Sequence, residues 1–148
     1  MRGLRTAPFI DDFSVRAEEL SKFLPRLYAI LKKYKLLYTV AGHVGDGNFH
    51  IIPLMDFKDP KAKDTIEKLS REVYDLIFEF KGSITAEHND GLIRSPYLKE
   101  EFGEKIYALF EKTKNIFDPD NIFNPGKKIA LKNGLKYVFD HLDTGVKN

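Results

Sequence analysis

The stretch Gly42-His43-Val44-Gly45-Asp46-Gly47-Asn48-Phe49-His50 restricts this chain more than any other. Asp-Gly accepts the positive φ angles of a two-residue type I′ turn, and apolar, β-capable runs lie on both sides, Leu36 to Ala41 and Phe49 to Leu54. These runs are expected to be the arms of a β-hairpin. With Asp46 and Gly47 as the turn, Gly45 faces Asn48, Val44 faces Phe49 and His43 faces His50. Opposed residues share one face of the ribbon, with Cβ atoms about 4.5–5.5 Å apart. Two imidazoles at that spacing can grip one metal ion, and the pairing survives a loop of four residues. A slip of one residue would send the rings to opposite faces. The same residues are also readable as plain turn chemistry beside two satisfied or exposed histidines.

The segments around the hairpin set the fold class. Phe9 to Val15 reads as a short strand. Leu20, Phe23, Leu24, Leu27, Ile30 and Leu31 follow at helical spacing, with a kink or restart expected at Pro25. After the hairpin, Asp59-Pro60 opens a second helix with Ile66, Leu69, Val73, Leu76, Ile77 and Phe80 in one apolar stripe. Lys81-Gly82 closes it, and Ser83 to Ala86 reads as a last short strand. The order β-α-β-β-α-β predicts an α+β, ferredoxin-like sandwich with both helices on one face of an antiparallel sheet. A third helix is expected from about Tyr97 to Asn115, with Leu98, Phe102, Ile106, Leu109, Phe110 and Thr113 inward. A turn or extended segment at Asn124 to Lys128 follows. Leu135, Val138, Phe139 and Leu142 form a short helical stretch before a frayed tail.

Composition narrows the function classes. At 148 residues the chain suits one compact domain, and a net charge of +2 gives no electrostatic argument for nucleic acid. The absence of cysteine excludes disulfides, thiolate metal sites, cysteine nucleophiles and iron–sulfur ligation by this chain, and fits a reducing compartment. Two arginines near the N-terminus have no apolar run behind them, so no signal peptide is read, and no stretch approaches the ~20 apolar residues of a membrane span.

The chemistry gathers in two places. His43, His50 and Glu87 together offer two nitrogens and one oxygen and leave coordination positions open, as a catalytic zinc- or manganese-like site does. His88, next to Glu87, can serve as a general base, since a free imidazole titrates near 6.5. Asn89, Asp90, Arg94 and Tyr97 follow closely. Arg94 suits a carboxylate substrate, and each of these is also readable as an ordinary loop or solvated residue. Chain order alone does not bring Glu87 to the hairpin; the end of the last strand must reach over.

His43-Val-Gly-Asp-Gly-Asn-Phe-His50, then Glu87-His88, Phe117-Asp118-Pro119 and Asn124-Pro125-Gly126-Lys127 occur in that order. This pattern resembles the C-terminal, substrate-side domain of FAD-linked oxidases, the family of D-lactate dehydrogenase, glycolate oxidase and D-2-hydroxyglutarate dehydrogenase. The resemblance runs from about Ile10 to Lys128. It implies a divalent-metal site, zinc or manganese, at His43, His50 and Glu87. It implies a catalytic base at His88 that takes the hydroxyl proton of a small 2-hydroxy acid while hydride passes to FAD. Asn124 and Lys127 become cofactor-side residues, and Arg94 a minor substrate contact.

The family's usual Glu-His-Gly-x-Gly is Glu87-His88-Asn89-Asp90-Gly91 here, which resembles a subgroup fused to an iron–sulfur domain. On this reading residues 1–128 are the second half of the substrate-side domain and residues 129–148 a tail or interdomain linker. No Gly-rich FAD-binding region is present, so FAD is expected to be held mainly by a domain outside this chain. Residues 1–148 alone are then expected neither to bind FAD tightly nor to turn over. The resemblance further implies an iron–sulfur domain or other electron acceptor as partner, in the cytoplasm or peripheral to a membrane. The rival expectation is a stand-alone ferredoxin-like metal- or ligand-binding module; a metal-dependent hydrolase has no motif order behind it.

Overall fold

The computed structural model describes residues 3–141, so the expectations for Leu142 and the rest of the tail lie outside the described residues. The chain divides into two compact units, which among the described residues are 3–88 and 89–141. Among the described residues, no helix is long and apolar enough to cross a membrane.

The first unit is built on strand β4 (Asn48–Met55). Its burial alternates, with Phe49, Ile51, Pro53 and Met55 buried and His50, Ile52 and Leu54 partly open, the period of two expected of a sheet with one covered face. On one side β4 pairs antiparallel with β3 (Leu37–Ala41). On the other it pairs with β1 (Arg5–Thr6) and then β2 (Ile10–Ser14). Helices α1 (Leu20–Tyr34) and α2 (Ala62–Glu79) supply the covering layer. Phe13 lies 5.8 Å, centroid to centroid, from both Phe23 of α1 and Phe49 of β4. The Tyr74 hydroxyl of α2 donates to the Phe9 carbonyl at 2.7 Å. The two helices are laced by Arg26 donating to both oxygens of Glu79, and by Lys33 and Tyr34 donating to Glu72, all at 2.6 Å.

The α+β class stands, but the expected β-α-β-β-α-β order differs in several places, beginning with the short added strand β1. Ser83 to Ala86 is not a strand. Ser83 makes one isolated bridge to Ser14, exchanging hydrogen bonds of 2.9 Å in both directions, and β2 is thus the neighbour of the last segment. α1 runs through Pro25 without a restart. Burial of Phe23, Leu27 and Leu31 on one face outweighs the hydrogen bond that proline cannot donate. The hairpin is not the tight two-residue turn. Ala41, and not His43, lies opposite His50, and Val44–Asp46 form a 3₁₀ turn that closes on Gly47 at φ 67°. Gly42 and Gly47 make this wider loop feasible. A Cβ at Gly42 would stand 2.3 Å from the Asn48 carbonyl oxygen, and one at Gly47 1.7 Å from that of Val15.

The second unit holds a short helix α3 (Gly91–Arg94), absent from the sequence reading, then α4 (Leu98–Phe117) and α5 (Gly134–Asp140). α4 is broken at Gly103, with φ 75° and ψ 163°. That break resets the rotation of every residue after it, so the single apolar stripe expected across it fails. Leu98 and Tyr107 are buried, whereas Phe102, Ile106 and Leu109 are exposed. Asp118 closes the helix by accepting from the backbone of Ile122 and Phe123 at 2.8 and 2.9 Å.

Candidate functional site

The site grows from an irregularity in β2. Ile10 pairs with Ile51 and Phe13 with Phe49, so three steps along β2 match two along β4. The extra residue is a β-bulge, a device that re-aims side chains. Asp12 takes the left-handed conformation there, at φ 62°, which aspartate tolerates better than most residues. Its side chain is fully buried.

Buried aspartate needs partners, and Asp12 finds them in the backbone that follows the bridge. Its carboxylate accepts from the N–H of Ala86 at 3.0 Å, Glu87 at 3.0 and 3.1 Å, and His88 at 2.7 Å. Asn48 Nδ2 adds a bond of 3.2 Å and also donates to the Phe13 carbonyl. Burial acts to raise the Asp12 pKa, but the N–H groups of His88, Glu87 and Ala86, with the charge of His88, together hold it below its ordinary value. This clamp is how the end of the last segment reaches over. It draws Glu87 and His88 to the sheet end where His50 lies near the start of β4.

Three imidazoles then surround one oxygen. Glu87 Oε1 lies 2.9 Å from His50 Nε2, 3.6 Å from His43 Nε2 and 3.8 Å from His88 Nε2. The rings of His50 and His88 lie nearly parallel, 4.8 Å apart, while that of His43 stands edge-on to His50 at 6.3 Å. His50 is the most enclosed of the three, at 14% side-chain exposure against 64% for His43 and 50% for His88. The structure therefore brings His43, His50, Glu87 and His88 together, although by a wider loop than the opposed hairpin pair expected from the sequence.

The donor set fits a divalent cation. Two donors held at about 2.1 Å from one ion stand roughly 3.0–3.4 Å apart at octahedral or tetrahedral angles, close to the separations around Glu87 Oε1. Among the described residues, Asp12, His50, Glu87 and His88 bring one donor atom each within 4.8 Å of the others. Asp12 is better described as the clamp than as a ligand, since its oxygens are taken up by N–H groups.

Asp11 and Asp12 were missed in the sequence reading. The available signal was two adjacent carboxylates inside an otherwise apolar strand-like run, where aspartate is disfavoured. Arg94 lies in the second unit, buried, and donates to the Asn89 carbonyl at 2.7 Å. Lys127 and Asn124 pair with each other there at 3.2 Å. Lys128 pairs with the buried Asp90, and Ser95 holds the turn by donating to the Gly126 carbonyl at 2.8 Å.

Fold and site together define an α+β chain with a histidine–carboxylate cluster suited to holding a cation and moving a proton. Its family follows from sequence comparison: the chain belongs to the FAD linked oxidases, C-terminal domain, whose family model matches residues 1–128. It is 38% identical to a D-2-hydroxyglutarate dehydrogenase of Pseudomonas putida over 124 residues, 84% of this chain and 12% of that protein. It is 30% identical to glycolate oxidase subunit GlcD of Bacillus subtilis over 127 residues, 86% of this chain and 27% of that subunit. A mitochondrial D-lactate dehydrogenase [cytochrome] of Arabidopsis thaliana is 32% identical over 120 residues, 81% of this chain and 21% of that protein. The chain thus spans between about an eighth and about a quarter of the length of these relatives.

Proposed function

We propose that the chain is the substrate-side part of an FAD-dependent 2-hydroxy acid dehydrogenase, acting on a substrate of the D-2-hydroxyglutarate, glycolate or D-lactate kind. The observation that carries this is the convergence of His43, His50 and His88 on Glu87 Oε1, in a chain of this family. When bound, a zinc- or manganese-like cation supplies Lewis-acid polarisation of the hydroxy acid's oxygens, and FAD supplies the hydride acceptor. His43, His50 and Glu87 hold the cation. His50 is the best placed of them, enclosed and hydrogen-bonded from behind by Asp11 at 3.1 Å. His88 takes the hydroxyl proton at Nε2, and its backbone is fixed by the Asp12 clamp.

In this reading residues 1–128 form the second half of the substrate-side domain and residues 129–148 a tail or linker. FAD is held mainly by a domain outside this chain, with Asn124 and Lys127 on the cofactor side and Arg94 a minor substrate contact. Electrons leave through an iron–sulfur domain or another acceptor, in the cytoplasm or at a membrane periphery. Metal content tests the core of the proposal. The purified chain is expected to take up one zinc or manganese ion, and His43→Ala, His50→Ala and Glu87→Gln to lose it while remaining folded. Uptake unchanged in all three variants would overturn the ligand assignment. A flavin absorbance in the chain itself, with dye reduction on D-lactate, would overturn the division of labour.

A further inference from the structure

Asp11 precedes the clamp residue on the bulge of β2, and its carboxylate is 13% exposed. Each of its oxygens takes one ring: Oδ1 lies 3.1 Å from His50 Nδ1, and Oδ2 lies 3.2 Å from His88 Nδ1. We infer that Asp11 is a positioning residue that fixes both imidazoles as Nδ1–H tautomers and turns both Nε2 lone pairs toward Glu87. The inference rests on the reading of His50 as a ligand and His88 as the base, and says which atom of each ring performs the task.

The argument is one of donors and acceptors. An ionised carboxylate has no hydrogen to give, so each contact of Asp11 requires an N–H on the ring nitrogen facing it. A neutral imidazole carries one such hydrogen, so Nδ1–H leaves Nε2 bare. The bare Nε2 of His50 then stands 2.9 Å from the Glu87 carboxylate, acceptor against acceptor. That close approach is stabilised only by a shared proton or by a cation between the two.

The opposite tautomers would set both Asp11 oxygens against ring lone pairs. Asp11 is far more enclosed than Glu87, at 13% against 44% side-chain exposure, so water can relieve the mismatch at Glu87 and not at Asp11. The two stacked rings fit this sharing, since a single carboxylate offers its oxygens to two parallel imidazoles 4.8 Å apart. The bulge completes the device. Asp12 holds the backbone of His88 at 2.7 Å and Asp11 holds its ring, so consecutive residues fix one histidine twice.

The test is a tautomer measurement on the full chain, free of metal and at a pH where the imidazoles are neutral. Long-range ¹⁵N–¹H spectra distinguish Nδ1–H from Nε2–H rings, with His50→Gln and His88→Gln variants to assign them. Both rings are expected as Nδ1–H. Asp11→Asn keeps one acceptor and turns an amide N–H₂ toward the other ring, so at least one ring switches to Nε2–H. Asp11→Glu, with two acceptor oxygens, restores the pattern in part. Zinc affinity, followed by calorimetry, falls about 10- to 100-fold in Asp11→Asn with an unchanged circular dichroism spectrum. An Nε2–H form of either ring in the wild type overturns the inference, and so do unchanged tautomers in Asp11→Asn and Asp11→Ala. A wild-type chain that takes up no zinc counts against the metal reading alone, because the tautomers still decide the part played by Asp11.

Discussion

Replacing Asp12 by Asn tests whether one buried carboxylate holds the site together. Asparagine keeps nearly the same shape and tolerates the φ of 62° that Asp12 adopts. Five groups donate to Asp12: the N–H of Ala86, of Glu87 and of His88, the Asn48 amide and, at 3.5 Å, the Thr85 hydroxyl. The single carbonyl of asparagine can serve about half of them, and its own N–H₂ then faces the rest. Bonds to a buried charge contribute about 1.5–3 kcal/mol each, and segment 86–88 is open enough for water to reach, which favours the lower end of that range. Two lost bonds therefore predict a destabilisation of about 3 kcal/mol, or a fall in melting temperature of roughly 6–12 °C for a chain of this size.

The pH dependence has a definite sign. The folded-state pKa of Asp12 is depressed below the ordinary 3.8, so its contribution is fully present above that value and lost as pH falls through the folded one. The stability gap between wild type and Asp12→Asn is expected to stay constant toward neutral pH and to close on acidification below about pH 4. Chemical denaturation followed by circular dichroism at several pH values measures both effects. A gap under about 0.5 kcal/mol, the size of an ordinary surface change, would refute the clamp, as would a gap that widens in acid.

Other expectations follow from the same structure. Phe13→Ala, which removes a fully buried ring between Phe23 and Phe49, is expected to cost about 3–5 kcal/mol in denaturant unfolding. Gly47→Ala places a Cβ 1.7 Å from the Val15 carbonyl oxygen at a φ of 67°, so the loop carrying His43 must shift. Weaker metal uptake and a lower melting temperature are expected together in that variant. Burial, then the hydrogen bond and charge of Glu72, push the Tyr34 phenol up to about 12. Its contribution to stability is intact below about pH 10 and lost as pH rises toward the folded value, so the advantage of wild type over Tyr34→Phe is expected to vanish across that window.

The elements with strong periodicity were legible in the sequence. α2 carries its apolar stripe from Ile66 to Ile77 as expected, and β4 alternates as a half-covered strand should. Family likeness rested on motifs short enough to read directly. The turn was harder. Asp46-Gly47 suggested a two-residue hairpin, but the close approaches of Gly42 to Asn48 and of Gly47 to Val15 are made across strands and leave no local mark. Gly103 broke α4 where a continuous 3.6-residue pattern gave no sign of it.

Local sequence thus determined which segments are strands and helices and which residues have chemistry to offer, because propensity and periodicity act between near neighbours. Tertiary structure decided how those residues meet. Glu87 and His88 reach His50 because a bulge 75 residues before Glu87 sends the Asp12 carboxylate into their backbone. That contact depends on the hydrogen-bonding demand of a charge buried by distant strands and helices, a demand that no stretch of chain read by itself displays.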